Sequence, residues 1–176
     1  MTTEAAGRVV VADAGPLLHL DELDALDVLS DLGEILVPPA VHRELLQHRP
    51  SLPQRCPQLK LLAAVPAAPT VDALTPLYTL HHGEREALAC CLGLPSPLLL
   101  TDDTAARLAA QTLMIRAHGT LGLLVRAVRQ QLRPAQDVVA LLEAVPARST
   151  LHIRPSLLQA IIQDARVEWG LHQRAP

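Results

Sequence analysis

Short apolar runs alternate along the chain with stretches of helical periodicity. Residues 9–12, 34–37 and 98–100 are rich in Val, Ile and Leu, and an Asp, Pro or Thr follows each run. Such runs are typical of strands buried on both faces, as in a parallel sheet. A fourth short strand is predicted at residues 114–115, before His118.

Helical segments separate these strands. Helices are predicted near Pro16, at 23–29, 39–46, 83–92, around 107–111, at 121–131 and 134–144, and from Pro155 onward after a short extended piece. Residues 48–76 are rich in Pro and are predicted as a loop-rich connection with one short helix near 58–62. The order of elements predicts an α/β protein whose parallel sheet is covered on both faces.

Composition limits the class of protein. The 176 residues are 49% hydrophobic, so one domain with a sizeable core is expected. Aromatic residues make up 1%, which nearly excludes aromatic base-stacking platforms. The net charge of −3 argues against a strong positive field over the whole molecule, although local arrangement matters more.

The three cysteines, Cys56, Cys90 and Cys91, give no disulfide framework. Cys90 and Cys91 are predicted to be buried thiols, and the cytoplasm is the expected compartment. No secretion signal is recognised, and no apolar segment is long enough to span a bilayer, so no membrane association is expected.

Carboxylates follow two of the predicted strands. Asp13 ends the first run, and Asp102 and Asp103 end the run at 98–100. If these strands are parallel neighbours, their acids meet at the same edge of the sheet. Crowded carboxylates resist joint ionisation, and a hard divalent cation resolves that conflict. The alternative is a helix N-cap, which is the more probable role for Asp102 taken alone.

Two helices contribute further acids. Glu44 lies about 60° from the apolar position Val41 on a helical wheel, so it either borders a cleft or is solvated. Glu84 and Glu86 point about 160° apart, so only one of them readily faces a site. The more apolar side of that helix lies nearer Glu84, and either acid alternatively complements the helix dipole.

Five segments in order resemble PIN-domain proteins of the VapC-like branch. They are Val-Ala-Asp-Ala-Gly-Pro-Leu (11–17), Val-Pro-Pro-Ala-Val-His-Arg-Glu-Leu (37–45), Gly-Glu-Arg-Glu-Ala-Leu-Ala (83–89), Leu-Thr-Asp-Asp-Thr-Ala-Ala-Arg-Leu-Ala (100–109) and His-Gly-Thr-Leu-Gly-Leu-Leu (118–124). Each is weak alone, but five in family order are fairly specific.

The resemblance implies a three-layer α/β/α fold and a Mg²⁺- or Mn²⁺-dependent ribonuclease that cleaves single-stranded RNA. It further implies the toxin of a toxin–antitoxin pair, with a small antitoxin as partner and a homodimer as the expected assembly. The expected division is a flexible terminus at 1–8, a PIN-like domain at 9–147 and a strand and helix extension at 148–176 packed on that domain.

Site residues carry over by position. The predicted catalytic acids are Asp13, Glu44, Glu86 and Asp103; the predicted metal ligands are Asp13, Glu86, Asp102 and Asp103; Glu84 and Thr101 are secondary candidates. The family usually has Ser or Thr directly after the first Asp, where its hydroxyl supports that carboxylate, and here Ala14 stands there.

Three other functions are alternatives to the nuclease. The Ala14 departure favours a PIN-like binding module with little catalysis. A phosphotransferase that uses Asp13 as nucleophile is weaker, because such enzymes often carry a second Asp where this chain has Gly15. The histidines lack the spacing of a zinc site.

A basic helix stripe is the predicted RNA-binding surface. Arg126, Arg129 and Arg133 recur at spacings of four and three residues and are predicted to hold phosphates if the helix extends that far. The alternatives are a solvated helix face or a binding surface for an acidic antitoxin segment.

Overall fold

The computed structural model describes residues 9–171, in which a five-stranded parallel sheet forms. The strands are β1 (Val10–Ala12), β2 (Ile35–Val37), β3 (Leu59–Leu61), β4 (Leu98–Leu100) and β5 (Arg116–His118), in the order β3-β2-β1-β4-β5. The predicted parallel sheet is confirmed. The predicted flexible terminus 1–8 lies outside the described residues, as do 172–176 of the predicted extension.

Helices cover both faces of this sheet. They are α1 (Ala14–Glu22), α2 (Pro39–His48), α3 (Leu52–Arg55), α4 (Pro69–Tyr78), α5 (His82–Leu92), α6 (Thr104–Thr112), α7 (Thr120–Arg129), α8 (Ala135–Arg148) and α9 (Pro155–Glu168), with a 3-10 turn at Leu26–Leu29. The three-layer α/β/α architecture is therefore confirmed.

Alternation along the strands divides the core into two layers. Val10 and Ala12 pack with α1, α2, α7, α8 and α9, whereas Val11 packs on the opposite face with α4, α5 and α6. Since successive side chains of a strand point to opposite faces, a three-residue apolar strand serves both layers. The buried thiols of Cys90 and Cys91 lie in the second layer, as predicted.

The register between β1 and β4 aligns the ends of these strands. Ala12 pairs with Leu100, and the amide of Asp13 donates to the carbonyl of Leu100 at 2.9 Å. The amide of Thr101 likewise donates to the carbonyl of His118 at 2.9 Å. The residues that follow β1, β4 and β5 therefore start from the same edge of the sheet.

The segment between α2 and α5 differs from its prediction. The predicted helix at 58–62 is wrong, because Leu-Lys-Leu at 59–61 alternates with period two and forms the edge strand β3 against β2. Helix α4 was missed because Pro69 and Pro76 resemble loop residues; Pro69 occupies the first turn, where a missing N–H costs little.

Two shorter errors have a common cause. The predicted helix at 23–29 is reduced to the 3-10 turn, because Asp24 adopts a positive φ of 55° and interrupts the path. The predicted strand at 114–115 begins later, at Arg116, because Met114 turns the chain with a φ of 56°. In both cases a left-handed residue other than Gly breaks the apolar pattern.

Candidate active site

Four carboxylates gather at the carboxyl edge of the sheet. Asp13 follows β1, Glu44 lies on α2, Glu84 lies on α5 and Asp103 follows β4. Asp13 Oδ1 and Glu44 Oε2 lie 3.5 and 3.7 Å from the point that a Cβ on Gly83 would occupy. The charges of Asp103 and Glu44 also act on the Glu84 carboxyl, so the four acids form one electrostatic cluster, called here the acid cluster.

Asp13 is the buried centre of the acid cluster. The residue is only 8% exposed. Burial raises the pKa of Asp13 to about 7, and the neighbouring charges of Glu84 and Glu44 add to that rise. The protein therefore holds an acid here whose ionised form lacks a compensating charge.

Thr101 supplies the hydroxyl that position 14 lacks. The Thr101 side chain is fully buried, and its Oγ1 donates to Asp13 Oδ2 at 3.2 Å. The same oxygen accepts from the backbone amide of Asp103 at 3.2 Å. One hydroxyl from the end of β4 thus links two members of the acid cluster and takes the supporting position that Ala14 leaves open.

Loss of this hydroxyl should destabilise the fold. Thr101→Val keeps the shape of the side chain but leaves the Asp103 amide without its acceptor, so we expect a loss of about 1–3 kcal/mol in the free energy of unfolding. Urea unfolding followed by circular dichroism measures it, with the exposed Thr104→Val as control. Equal stability of the two variants would contradict the structural role.

Glu84, a member of the acid cluster, lies in the first turn of α5. Its side chain is 8% exposed, and its Oε2 accepts from the backbone amide of His81 at 2.8 Å, as one half of a capping box. Burial raises the pKa of Glu84 and the charges of Asp103 and Glu44 add to the rise, against the effect of the His81 hydrogen bond. Helix capping and membership of the acid cluster are combined in one residue.

The Glu86 carboxylate binds the N-terminal turn of α2. Its Oε2 accepts from the amide of Ala40 at 2.6 Å, at the first turn of α2, and its Oε1 contacts His82 Nε2 at 2.9 Å. A carboxylate there satisfies an otherwise unpaired amide and complements the dipole of α2. Glu86 is the predicted third acid and Glu84 the secondary candidate, whereas the geometry brings Glu84 to Asp13.

Asp102 and Asp103 have separate surroundings. Asp103 Oδ1 accepts from the amide of Ala106 at 2.8 Å, so the N-cap role considered for Asp102 belongs to Asp103. Asp102 accepts from the amide and the hydroxyl of Thr120, at 2.7 and 2.5 Å, and contacts His19 Nδ1 at 2.8 Å. Asp102 is predicted as a metal ligand, but both of its carboxylate oxygens are engaged in hydrogen bonds to α7 and α1.

The hydrogen bonds from His19 and Thr120 keep Asp102 ionised. Burial alone would raise the pKa of Asp102, but the hydrogen bonds from His19 and Thr120 outweigh it and hold that pKa below its ordinary value. Gly119 makes the approach feasible, because a Cβ there would overlap the Asp102 carboxylate and the Arg107 guanidinium. His19 and Thr120 are not predicted as partners of Asp102 from the sequence, although Thr120 belongs to the His-Gly-Thr segment that resembles the family.

The predicted basic stripe is engaged elsewhere. Helix α7 starts at the carboxyl edge of the sheet and runs back, so its last turn lies toward the opposite edge. The helix ends at Arg129, so Arg133 lies beyond it. All three arginines of the predicted stripe are paired with acids: Arg126 with Asp31, Arg129 with Glu168 and Arg133 with Asp27. Distance from the acid cluster and charge neutralisation both argue against the predicted RNA-binding role of these residues.

Comparison with known families agrees with this geometry. The family model DUF3368, a PIN domain, matches residues 9–167. The chain belongs to the PIN-domain family. A comparison with curated proteins gives no match. PIN domains are typically metal-dependent nucleases, and the acid cluster lies where a parallel sheet of this kind places its active site.

Each helix in the described part of this PIN domain is too short or too polar to cross a bilayer. The family match also includes α9, which contributes Leu158, Ile162 and Ala165 to the same core layer as α1 and α7. The family match and the core packing therefore both extend through α9.

The acid cluster of this PIN domain suits a hard divalent cation. Among residues 9–171, none of its four acids forms an ion pair with a basic side chain. Within that same range, no three His, Cys, Asp or Glu side chains already form a complete metal-binding group. Mg²⁺ commonly takes only one or two carboxylates and keeps several waters, so uncompensated oxygen donors around a buried Asp13 fit its needs.

Proposed function

We propose that this PIN domain is a divalent-metal-dependent endoribonuclease that cleaves single-stranded RNA. The observation that carries the proposal is the acid cluster itself, with the buried Asp13 at its centre and no basic partner among the described residues. Such a concentration of carboxylates destabilises the empty site, and that cost is explained if the site binds a cation during function.

The four acids divide the work. Asp13, Glu84 and Asp103 would hold a Mg²⁺ or Mn²⁺ ion, which when bound neutralises phosphate charge and lowers the pKa of water. Asp103 keeps its second oxygen available, since only Oδ1 caps α6. Glu44 is exposed at the rim and is suited to orient water or accept a proton from it.

The first test is cleavage by the purified wild-type protein. Labelled single-stranded RNA, the matching single-stranded DNA and a double-stranded RNA are incubated with Mn²⁺, with Mg²⁺ and with EDTA. We expect metal-dependent cleavage of the single-stranded RNA and none in EDTA. The absence of cleavage from every substrate would refute the proposed activity and favour the binding module. Ala14 was the reason to consider that module, and the Thr101 hydroxyl now supplies the hydrogen bond to Asp13 that a Ser or Thr at position 14 would make.

Glu84→Gln and Glu86→Gln distinguish the two candidate acids. Since Glu84 belongs to the acid cluster, Glu84→Gln should reduce cleavage by about 10²–10³-fold, the range found when one electrostatic contact to the reaction is removed. Glu86→Gln should keep cleavage within a few-fold and lose about 0.3–1 kcal/mol of stability, because Gln still accepts from the Ala40 amide but removes the negative charge at the N-terminus of α2. Initial rates and urea midpoints measure both effects, and the reverse ranking would restore Glu86 to the site.

The biological role that we propose is the toxin of a toxin–antitoxin pair. The test is co-expression with the small protein, if any, encoded by the adjacent reading frame. Growth arrest by this chain alone, with rescue by that small protein, is the expected outcome. A homodimer is also proposed, and analytical ultracentrifugation of the purified chain measures it.

A further inference from the structure

Five arginines of residues 9–171 form no ion pair, and three of them lie near the acid cluster. Most basic side chains in the described range are paired with acids, which is expected in a chain of net charge −3. Arg43, Arg107 and Arg154 make no ion pair with any residue between 9 and 171. All three are exposed, and each lines one of two hollows beside the acid cluster.

The first hollow, called here the α7 groove, has a volume of about 530 Å³. Asp102 and Thr104, the two neighbours of Asp103 in the chain, line it, so it opens beside the acid cluster on the β5 side. Arg107 and Arg154 supply its positive charge. Its only lining carboxylate among the described residues is Asp102, which already accepts three hydrogen bonds.

The surface of the α7 groove is otherwise largely apolar. Its aliphatic lining side chains are Leu121, Leu151, Ile153, Leu157 and Ile161. Aliphatic surface accepts the flat face of any base without reading its sequence, and the volume lies in the range of small-molecule sites. Apolar surface beside two unpaired arginines matches the alternation of base and phosphate in a single strand.

The second hollow, called here the α2 hollow, lies on the other side of the acid cluster. Its volume is about 420 Å³, and Arg43, Glu44 and Gly83 are among its lining residues. Helix α2 follows β2, whereas α7 follows β5, and β1 and β4 lie between these strands. The two hollows therefore flank Asp13 and Asp103 along one line across the edge of the sheet.

We propose that a single-stranded nucleic acid crosses this edge from the α2 hollow to the α7 groove, with its phosphates on Arg43 on one side and on Arg107 and Arg154 on the other. The inference rests on the proposed nuclease function. It adds the path of the substrate across the site and the arginines that bind its phosphates. The scissile phosphate then lies over the acid cluster, between two anchored neighbours.

The test is binding, measured apart from cleavage. Fluorescence anisotropy of a labelled single-stranded RNA in EDTA compares wild type with Arg107→Gln/Arg154→Gln and with the triple variant that adds Arg43→Gln. The control is Arg129→Gln/Arg166→Gln, which removes two arginines that are ion-paired with Glu168 and Glu143. Thermal unfolding confirms that each variant is folded.

The salt dependence gives a quantitative expectation. Each lost phosphate contact lowers the slope of log K against log salt by about 0.7 for single strands, so the double variant should lose about 1.4 and the triple variant about 2. The control should keep the wild-type slope. A wild-type slope in the triple variant, an equal loss in the control, or no RNA binding by wild type would each overturn the proposed path.

These outcomes separate the path from the chemistry. If the arginine variants bind normally while acid-cluster variants lose cleavage, the path is wrong and the nuclease function stands. If wild type binds through these arginines but cleaves no RNA with Mn²⁺, the path stands and the proposed activity is wrong. Unchanged RNA binding in the triple variant would leave the α7 groove as a candidate surface for a protein partner.

Discussion

Replacement of Asp13 by Asn is expected to reduce RNA cleavage by at least about 10³-fold, because loss of a direct cation ligand should exceed the 10–100-fold cost of losing an outer-shell partner. Asn keeps the shape of the side chain and can still accept a hydrogen bond from Thr101. The fold is therefore retained while the central negative charge of the acid cluster disappears. Initial rates with Mn²⁺ under single-turnover conditions measure the effect.

The matched control for this loss is Asp164→Asn. Asp164 is an exposed acid on α9, so the same chemical change there removes one charge without touching the acid cluster. The control should cleave at the wild-type rate. Undiminished cleavage by Asp13→Asn would show that the acid cluster is not the active site, even if the protein is a nuclease.

Asp13→Asn should also be more stable than wild type at neutral and alkaline pH in the absence of metal. Burial raises the pKa of Asp13 from its ordinary 3.8 to about 7, so the folded state holds a proton that the unfolded state has already released. Wherever the folded state binds more protons, the free energy of unfolding falls as pH rises. This part of the stability is complete below about pH 4 and is lost as pH passes through about 7.

The expected difference follows from that window. Asn resembles the protonated acid, so Asp13→Asn and wild type should be similarly stable near pH 4. Above pH 7 the variant should exceed wild type by an amount on the order of 4 kcal/mol, at 1.36 kcal/mol per pKa unit.

Urea unfolding in EDTA at several pH values from 4 to 8 measures this difference. Asp164→Asn should follow the wild-type curve throughout. Addition of Mn²⁺ at pH 8 should stabilise wild type but not Asp13→Asn, because a ligand stabilises only the state that binds it. A constant offset between Asp13→Asn and wild type at all pH values would contradict the buried, protonated state.

The parts of the fold that the sequence predicted correctly are those fixed by local pattern. The runs at 9–12 and 98–100 are apolar on both faces, so they had to lie inside a parallel sheet. Once the two runs are neighbours, the acids that follow them meet at one edge. The meeting of Asp13 and Asp103 was therefore predictable from strand ends alone.

The ranking of Glu84 and Glu86 required tertiary information. Glu84 lies in the first turn of α5 and Glu86 follows two residues later, and the helical pattern permits either to face the sheet edge. The choice depends on the N-terminus of α2, whose Ala40 amide binds the Glu86 carboxylate. The position of an amide that lies 46 residues earlier in the chain cannot be read from the residues around Glu86.

The misread elements were edge or turn features with weak local signals. Strand β3 is only partly buried, and a short Leu-Lys-Leu segment contains few apolar residues. Its sequence therefore predicts a strand only weakly. The RNA-binding role of the arginine stripe stays a prediction, but the ion pairs of its arginines could not be predicted from the sequence. Charge spacing reveals a common helix face, but the acids that meet this face come from sites as far as 106 positions away.

The shortness of the strands makes the central region intolerant of length changes. Ala12 and Leu100 are register partners, and the functional side chains are attached at the very next positions. One residue inserted into or deleted from either three-residue strand would turn its following acid or hydroxyl to the opposite side of the sheet. The Ala-rich connection at 62–68, which carries no strand or helix, is by contrast where natural or engineered variation in chain length can accumulate.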